Sequence, residues 1–83
     1  MINVRLAYSA AKKISDTEYL KQILSFDKAF GFIFGKSKTE IDIGGLCILI
    51  DKTDPTISAI IPIVIENLDF LSTGKEIPLT SIL

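Results

Sequence analysis

The stretch Ala29-Phe30-Gly31-Phe32-Ile33-Phe34-Gly35 decides the fold. Aromatic rings recur at every second position, so in an extended chain Phe30, Phe32 and Phe34 share one face while Gly31, Ile33 and Gly35 share the other. One face is therefore heavily aromatic and the other is nearly bare at two positions. A bare glycine inside a strand marks a close backbone approach or a helix lying across the sheet.

Reading toward the C-terminus, residues 36–40 are polar and predict a loop, Ile41-Asp42-Ile43 is a short alternating piece, and Gly44-Gly45 punctuates before a second strand, Leu46 to Ile50. Asp51-Lys52-Thr53-Asp54-Pro55-Thr56 has turn composition, with Pro55 presetting φ and the aspartates able to bond local backbone. Ile57 to Ile61 returns as the partner strand of a hairpin. Pro62 cannot donate to a ladder, so the extended run must reach an edge, a bulge or its end there. Ile63 to Ile65 keep strand-like composition, Asn67 to Leu71 suit a short helical turn, and residues 72–75 form a loop before a final Ile77-Pro78-Leu79 segment.

Reading toward the N-terminus, residues 2–14 fit two periods. Ile2, Val4, Leu6 and Tyr8 alternate like a strand, whereas Ile2, Leu6, Ala10 and Ile14 recur like a helix stripe. Helix is favoured because Arg5, Ser9, Lys12 and Lys13 gather on one polar face and Ala7, Ala10 and Ala11 are strong helix formers. Ser15-Asp16-Thr17-Glu18 has capping-box spacing, and Tyr19, Leu20, Ile23 and Leu24 follow at offsets that place them on one helical face. The expectation is an α+β fold with an N-terminal helix or helix pair, the second ending near Ser25 to Asp27. These helices pack on a three-stranded antiparallel meander, with the C-terminal tail along an edge or helix.

With 83 residues there is room for a single domain. Hydrophobic residues make up 48% of the chain, isoleucine above all, which suits a pleated surface and could leave an apolar face for a partner. Nine basic and ten acidic residues give a formal charge of -1 with no block of either sign, so neither nucleic acid nor an anionic membrane is advertised as a partner. The most apolar run, Ile57 to Ile65, contains Pro62 and falls well short of the roughly 20 residues a spanning helix needs. The lone Cys47 permits no internal disulfide, and its apolar neighbours assign it to the core; a reducing, cytoplasmic setting follows.

The chain has no histidine, which removes the commonest general base, the usual zinc sites and the Ser-His-Asp and Cys-His nucleophile systems. Gly31 to Ser37 reads G-x-x-x-G-K-S, one residue short of a phosphate-binding loop and built from strand residues. No catalytic residue, cofactor or metal is expected. Lys28-Ala29-Phe30-Gly31-Phe32-Ile33 resembles the aromatic strand motif of RNA recognition motif domains, and Ile63 to Leu68 is similar to their companion strand. That resemblance implies single-stranded RNA stacking on Phe30 and Phe32. Against it, the companion motif follows the aromatic strand instead of preceding it, Val64 replaces the stacking ring, and the net charge is slightly acidic. The ending Ser81-Ile82-Leu83 fits the pattern captured by PDZ domains, although three residues occur often by chance.

The order of N-terminal helix, Phe30-Gly31-Phe32-Ile33-Phe34, then Gly44-Gly45-Leu46-Cys47-Ile48-Leu49-Ile50-Asp51-Lys52, a turn and a return strand resembles small immunity proteins of bacterial polymorphic toxin systems. The resemblance implies a non-catalytic cytoplasmic protein that blocks a cognate toxin. Asp42, Asp51 and Asp54 would then supply charge complementarity to a basic effector. A further expectation is self-association, with an exposed strand edge pairing two copies into a homodimer.

Overall fold

Alternation along the aromatic stretch places Ala29–Gly35 (β2) in the middle of a five-stranded antiparallel sheet. The computed structural model describes residues 1–15, 19–35 and 45–82. Its elements run α1 (Val4–Ile14), β1 (Tyr19–Ser25), β2, β3 (Leu46–Asp51), β4 (Ser58–Pro62), a 3-10 turn at Ile65–Asn67 leading into α2 (Leu68–Ser72), β5 (Lys75–Ile77) and a second 3-10 turn at Leu79–Ile82. The strand order is β4-β3-β2-β1-β5. The expected meander is present as β2-β3-β4, but it makes up only part of the sheet.

The N-terminal helix forms as its composition predicts. Asn3 caps it by accepting the Leu6 N–H at 2.9 Å, and Lys12 and Lys13 sit at its negative C-terminal end. Its inward stripe is small: Ala7 and Ala11 are fully buried, which lets the helix lie close over the rings of β2. Tyr8 beside them packs on Phe32 and Phe34, with ring centroids 5.9 and 6.3 Å apart. Ile2 N–H donates to the Lys52 carbonyl at 2.6 Å, tying the start of the helix to the end of β3. The core on this side is Phe30, Phe32, Phe34, Ile23, Ile48 and Ile50 beneath Ala7 and Ala11.

The second expected helix is a strand. Tyr19–Ser25 pairs with β2, and a bulge between Leu20 and Gln22 explains the misleading spacing. Leu20 lies opposite Phe34 and Ile23 opposite Phe32, so both face α1 although they stand three positions apart. An extra residue in a strand converts period-2 alternation into a step of three that mimics a helix face. Ser15 closes α1, its N–H donating to the Ala11 carbonyl at 3.0 Å, and is not the cap of a new helix. The remaining residues of the expected capping box, 16–18, lie outside the described residues, as do 36–44.

β5 sits on the far side of β1 from β4, so the chain from Ile63 to Gly74 must traverse the sheet. It does so on the face away from α1. There Phe26, from the short link between β1 and β2, stacks on Phe70 of α2 with ring centroids 4.8 Å apart and planes 8° from parallel. The Phe26 ring also fills the space above Gly31: a Cβ on that glycine would lie 2.8 Å from the ring, 3.0 Å from the Cys47 sulfur and 3.3 Å from Leu49. The bare glycine thus marks a close approach by an aromatic ring of its own hairpin. The ring has little freedom to retreat, because Gly74 holds its other side with equally close spacing.

Gly31→Ala should therefore destabilise the fold by about 1–3 kcal/mol, the usual range for overpacking, read as a lower urea midpoint. The same substitution should cost less in a Phe26→Ala background. An equal cost in both backgrounds would locate the strain elsewhere.

Candidate functional site

The turn between β3 and β4 is built by two aspartates. Asp51 Oδ1 accepts from the Thr53 N–H at 2.8 Å, the Thr53 hydroxyl at 2.6 Å and the Asp54 N–H at 3.0 Å. Asp54 Oδ1 accepts from the Thr56 N–H at 3.0 Å and the Thr56 hydroxyl at 2.7 Å. These bonds favour the ionised carboxylates. The Thr53 hydroxyl and then the backbone donors hold Asp51 below the ordinary carboxylate range, and the Thr56 hydroxyl and N–H do the same for Asp54. Two negative charges are thereby fixed in one exposed turn. Asp42, the third acidic candidate, lies outside the described residues.

Phe30 and Phe32 are not brought together with those acids as an outward surface. Phe32 has 0% exposure and Phe30 9%, both under α1, and the Lys52 ammonium stands 5.0 Å over the Phe30 ring. Lys52 Nζ also donates to the Ser25 hydroxyl at 2.8 Å, bridging β3 to β1 above that ring. A base has no open ring face to stack on at either residue.

Cys47 lies on the face of the sheet away from α1, fully buried between β2 and β4. Burial pushes its thiol up to about 11, outweighing a backbone hydrogen bond at Phe32 that acts in the opposite direction. A thiol in that state carries no nucleophilic thiolate near neutral pH. Among the described residues no His, Cys, Asp and Glu cluster is arranged to hold a metal ion, and no helix is long and apolar enough to cross a membrane.

An open cleft of about 650 Å³ lies beside the β1–β2 link, lined by Ser25, Phe26, Asp27, Lys28, Phe70 and Lys75 among others. Its rings are stacked on each other, and the Ser25 hydroxyl already accepts from Lys52. Thr73 on its wall donates its hydroxyl to the Phe70 carbonyl at 2.7 Å. Ser25, Thr73 and the two rings are thus engaged in contacts that build the fold.

The two edges of the sheet differ sharply. β5 is three residues long, carries Lys75 and Glu76 exposed, and runs straight into Pro78, which are devices that blunt an edge. β4 reads Ser-Ala-Ile-Ile-Pro with no charge, and α1 does not cover it: Ile60, on the helix side opposite Ile48, is 51% exposed. Leu46 beside Pro62 and Ile57 before the strand are also exposed. Residues 58–62 thus form an apolar surface immediately next to the acidic turn. Sequence reasoning left Pro62 at an edge, a bulge or a strand end and offered no signal for Ile60, because an apolar strand residue reads the same whether or not a helix reaches it.

No protein-family model, curated protein or solved structure matches this chain.

Two titrations follow from these sites. The Asp51 and Asp54 carboxylates titrate below their ordinary 3.8 in the fold, so their contribution is present above 3.8 and is lost as pH falls further, through their lowered folded-state values. Denaturation midpoints of Asp51→Asn and Asp54→Asn should be lower than wild type at pH 7, with the difference shrinking as pH is taken below 3.8. Cys47 has the opposite sign. Unfolded chains ionise near 9 and the fold only near 11, so stability should fall across that interval. Cys47→Ala should reduce that loss, and a thiol reagent at pH 8 should label wild type only when denaturant is added.

Proposed function

We propose that the chain is a non-catalytic, cytoplasmic protein-binding domain that makes contact through β4 and the acidic turn leading into it. One observation carries this reading: among the described residues β4 is a strand edge with no further strand beyond it, uncharged and largely exposed, while the opposite edge is three residues long and carries exposed charges. Natural sheets blunt free edges unless something pairs with them, and apolar surface rimmed by charge is the usual character of a contact surface.

In its most specific form the reading is toxin immunity, the function implied by the resemblance in strand order and motif. The Asp51 and Asp54 carboxylates, held ionised in a fixed turn, would steer the domain onto a basic effector, while the apolar strand beside them supplies contact area. Blocking a toxin in this way requires no catalytic group. It is therefore compatible with a chain that lacks histidine and buries its single cysteine.

The test is co-expression with the product of the adjacent gene. Stable co-purification and restored growth of cells producing that product are expected, with affinity reduced at least 10-fold by Asp51→Lys combined with Asp54→Lys. Absence of both binding and protection would eliminate the immunity reading. Binding unaffected by changes in the turn or in β4 would move the contact surface elsewhere.

A further inference from the structure

The ladder between β3 and β4 fixes which way the β4 backbone groups turn. The Asp51 N–H donates to the Ile57 carbonyl at 3.0 Å and the Ile63 N–H to the Gly45 carbonyl at 2.8 Å, so these two pairs are hydrogen-bonded ones. Such pairs alternate with non-hydrogen-bonded ones along an antiparallel ladder. With Leu49 opposite Ala59 and Cys47 opposite Ile61, the N–H and C=O groups of Ala59 and Ile61 turn inward to β3, and those of Ser58 and Ile60 turn away from the sheet. Among the described residues nothing bonds these four outward groups.

The row is bounded at both ends. Pro62 has no N–H, and its carbonyl already accepts the Val64 N–H at 3.1 Å and the Asn67 side-chain amide at 2.8 Å. On the turn side, the Thr56 N–H already donates to Asp54 Oδ1 at 3.0 Å. What stays open is a short frame of two donors and two acceptors on the exposed residues Ser58 and Ile60, with the fixed Asp51 and Asp54 carboxylates at one end only. A helix bonds its backbone groups internally, whereas an extended segment offers a donor and an acceptor at every second residue, the spacing of this frame.

We infer that the effector contributes an extended segment that adds to β4 as a further antiparallel strand, paired at Ser58 and Ile60 and basic at its C-terminal end. This rests on β4 being the contact strand, as proposed above, and it names the element of the partner that meets it. Antiparallel addition continues the pattern of the sheet and gives hydrogen bonds perpendicular to the strands. Because β4 runs away from the turn at residues 51–56, an antiparallel neighbour runs toward it, and its last residues arrive beside Asp51 and Asp54. Its residue opposite Ile60 lies on the helix side against a side chain that is 51% exposed, a position suited to a β-branched residue. The added strand begins its pairing after Pro62, where the donor is missing and the carbonyl is taken.

The probe is the peptide acetyl-Thr-Ile-Thr-Val-Lys-Lys-amide, whose Ile falls opposite Ile60 and whose Val falls opposite Ser58. Titrated into the protein to millimolar concentration, it should slow amide exchange at Ser58 and Ile60 and leave Ala59 and Ile61 as protected as before. N-methylation of the peptide Ile and Val, whose N–H groups face β4, should abolish this effect. N-methylation of the Thr between them, whose N–H faces away, should preserve it. Replacing both peptide lysines by glutamate should weaken binding roughly tenfold or more. The Ser58→Pro protein loses one outward donor without a change in the ladder to β3, and should bind the peptide more weakly with unchanged circular dichroism.

Unchanged exchange at Ser58 and Ile60 overturns strand addition alone, leaving the effector reading to its own co-purification assay. Slowed exchange that survives methylation of the peptide Ile and Val, or that is lost equally on methylation of the intervening Thr, overturns the pairing as drawn. A glutamate peptide that binds as well as the lysine one overturns the basic C-terminal end. Peptide pairing by a protein that fails to bind the adjacent gene product upholds strand addition and removes the immunity reading.

Discussion

The structure depends on the fit between two alanines and one phenylalanine. Ala7 and Ala11 allow α1 to settle directly over β2, where Phe32 fills the space that larger helix residues would otherwise need. That close contact buries the centre of the sheet with a helix of only eleven residues, and it also limits how far the cover extends. The C-terminal 3-10 turn packs with the remaining partly buried apolar residues, Ile82 among them, and Ile77 of β5 joins the same cluster. Among the described residues nothing gives β4 such cover. The exposed Ile60 is thus a consequence of placing a slender helix over β2 and β3 but not over the strand beyond them.

The opposite face shows the same economy with a different device. A ring from the β1–β2 link lies on Gly31 and is held there by Phe70 and the backbone at Gly74, so two glycines and two phenylalanines do the work of a second helix. Leu24 and Cys47 are buried beside this cluster, and among the described residues no buried side-chain nitrogen or oxygen lacks a hydrogen-bond partner. Among the described residues no polar or charged side chain is buried. Polar residues serve the turns and edges, with Asp51 and Asp54 as the clearest instances.

Much of this was legible from residue order. Alternation of Phe30, Phe32 and Phe34 located β2 to the residue, the turn-forming aspartates marked the β3–β4 link, and Pro62 limited its run to an edge, a bulge or an end, of which β4 shows the edge and the end. The N-terminal helix followed from its alanines and its basic face. Two strands escaped for separate physical reasons: the bulge after Leu20 gave β1 a helical step, and β5 is three residues without any period to read. Sequence periodicity also cannot say which face of a sheet is covered. The aromatic strand could therefore be read as an RNA platform until α1 was seen lying on it. For the candidate surface, the acidic turn was visible in composition, whereas exposure of Ile60 depends on the reach of a helix more than forty residues away in the chain.

The most direct measurement of the central claim, that β4 is an open edge, is residue-resolved amide hydrogen exchange. The Asp51 N–H donates to the Ile57 carbonyl and the Ile63 N–H to the Gly45 carbonyl, so alternation along the ladder turns the Ala59 and Ile61 amides toward β3 and the Ser58 and Ile60 amides away from it. Ala59 and Ile61 should be protected while Ser58 and Ile60 exchange quickly. Protection of Ile60 equal to that of Ile61 would contradict the account.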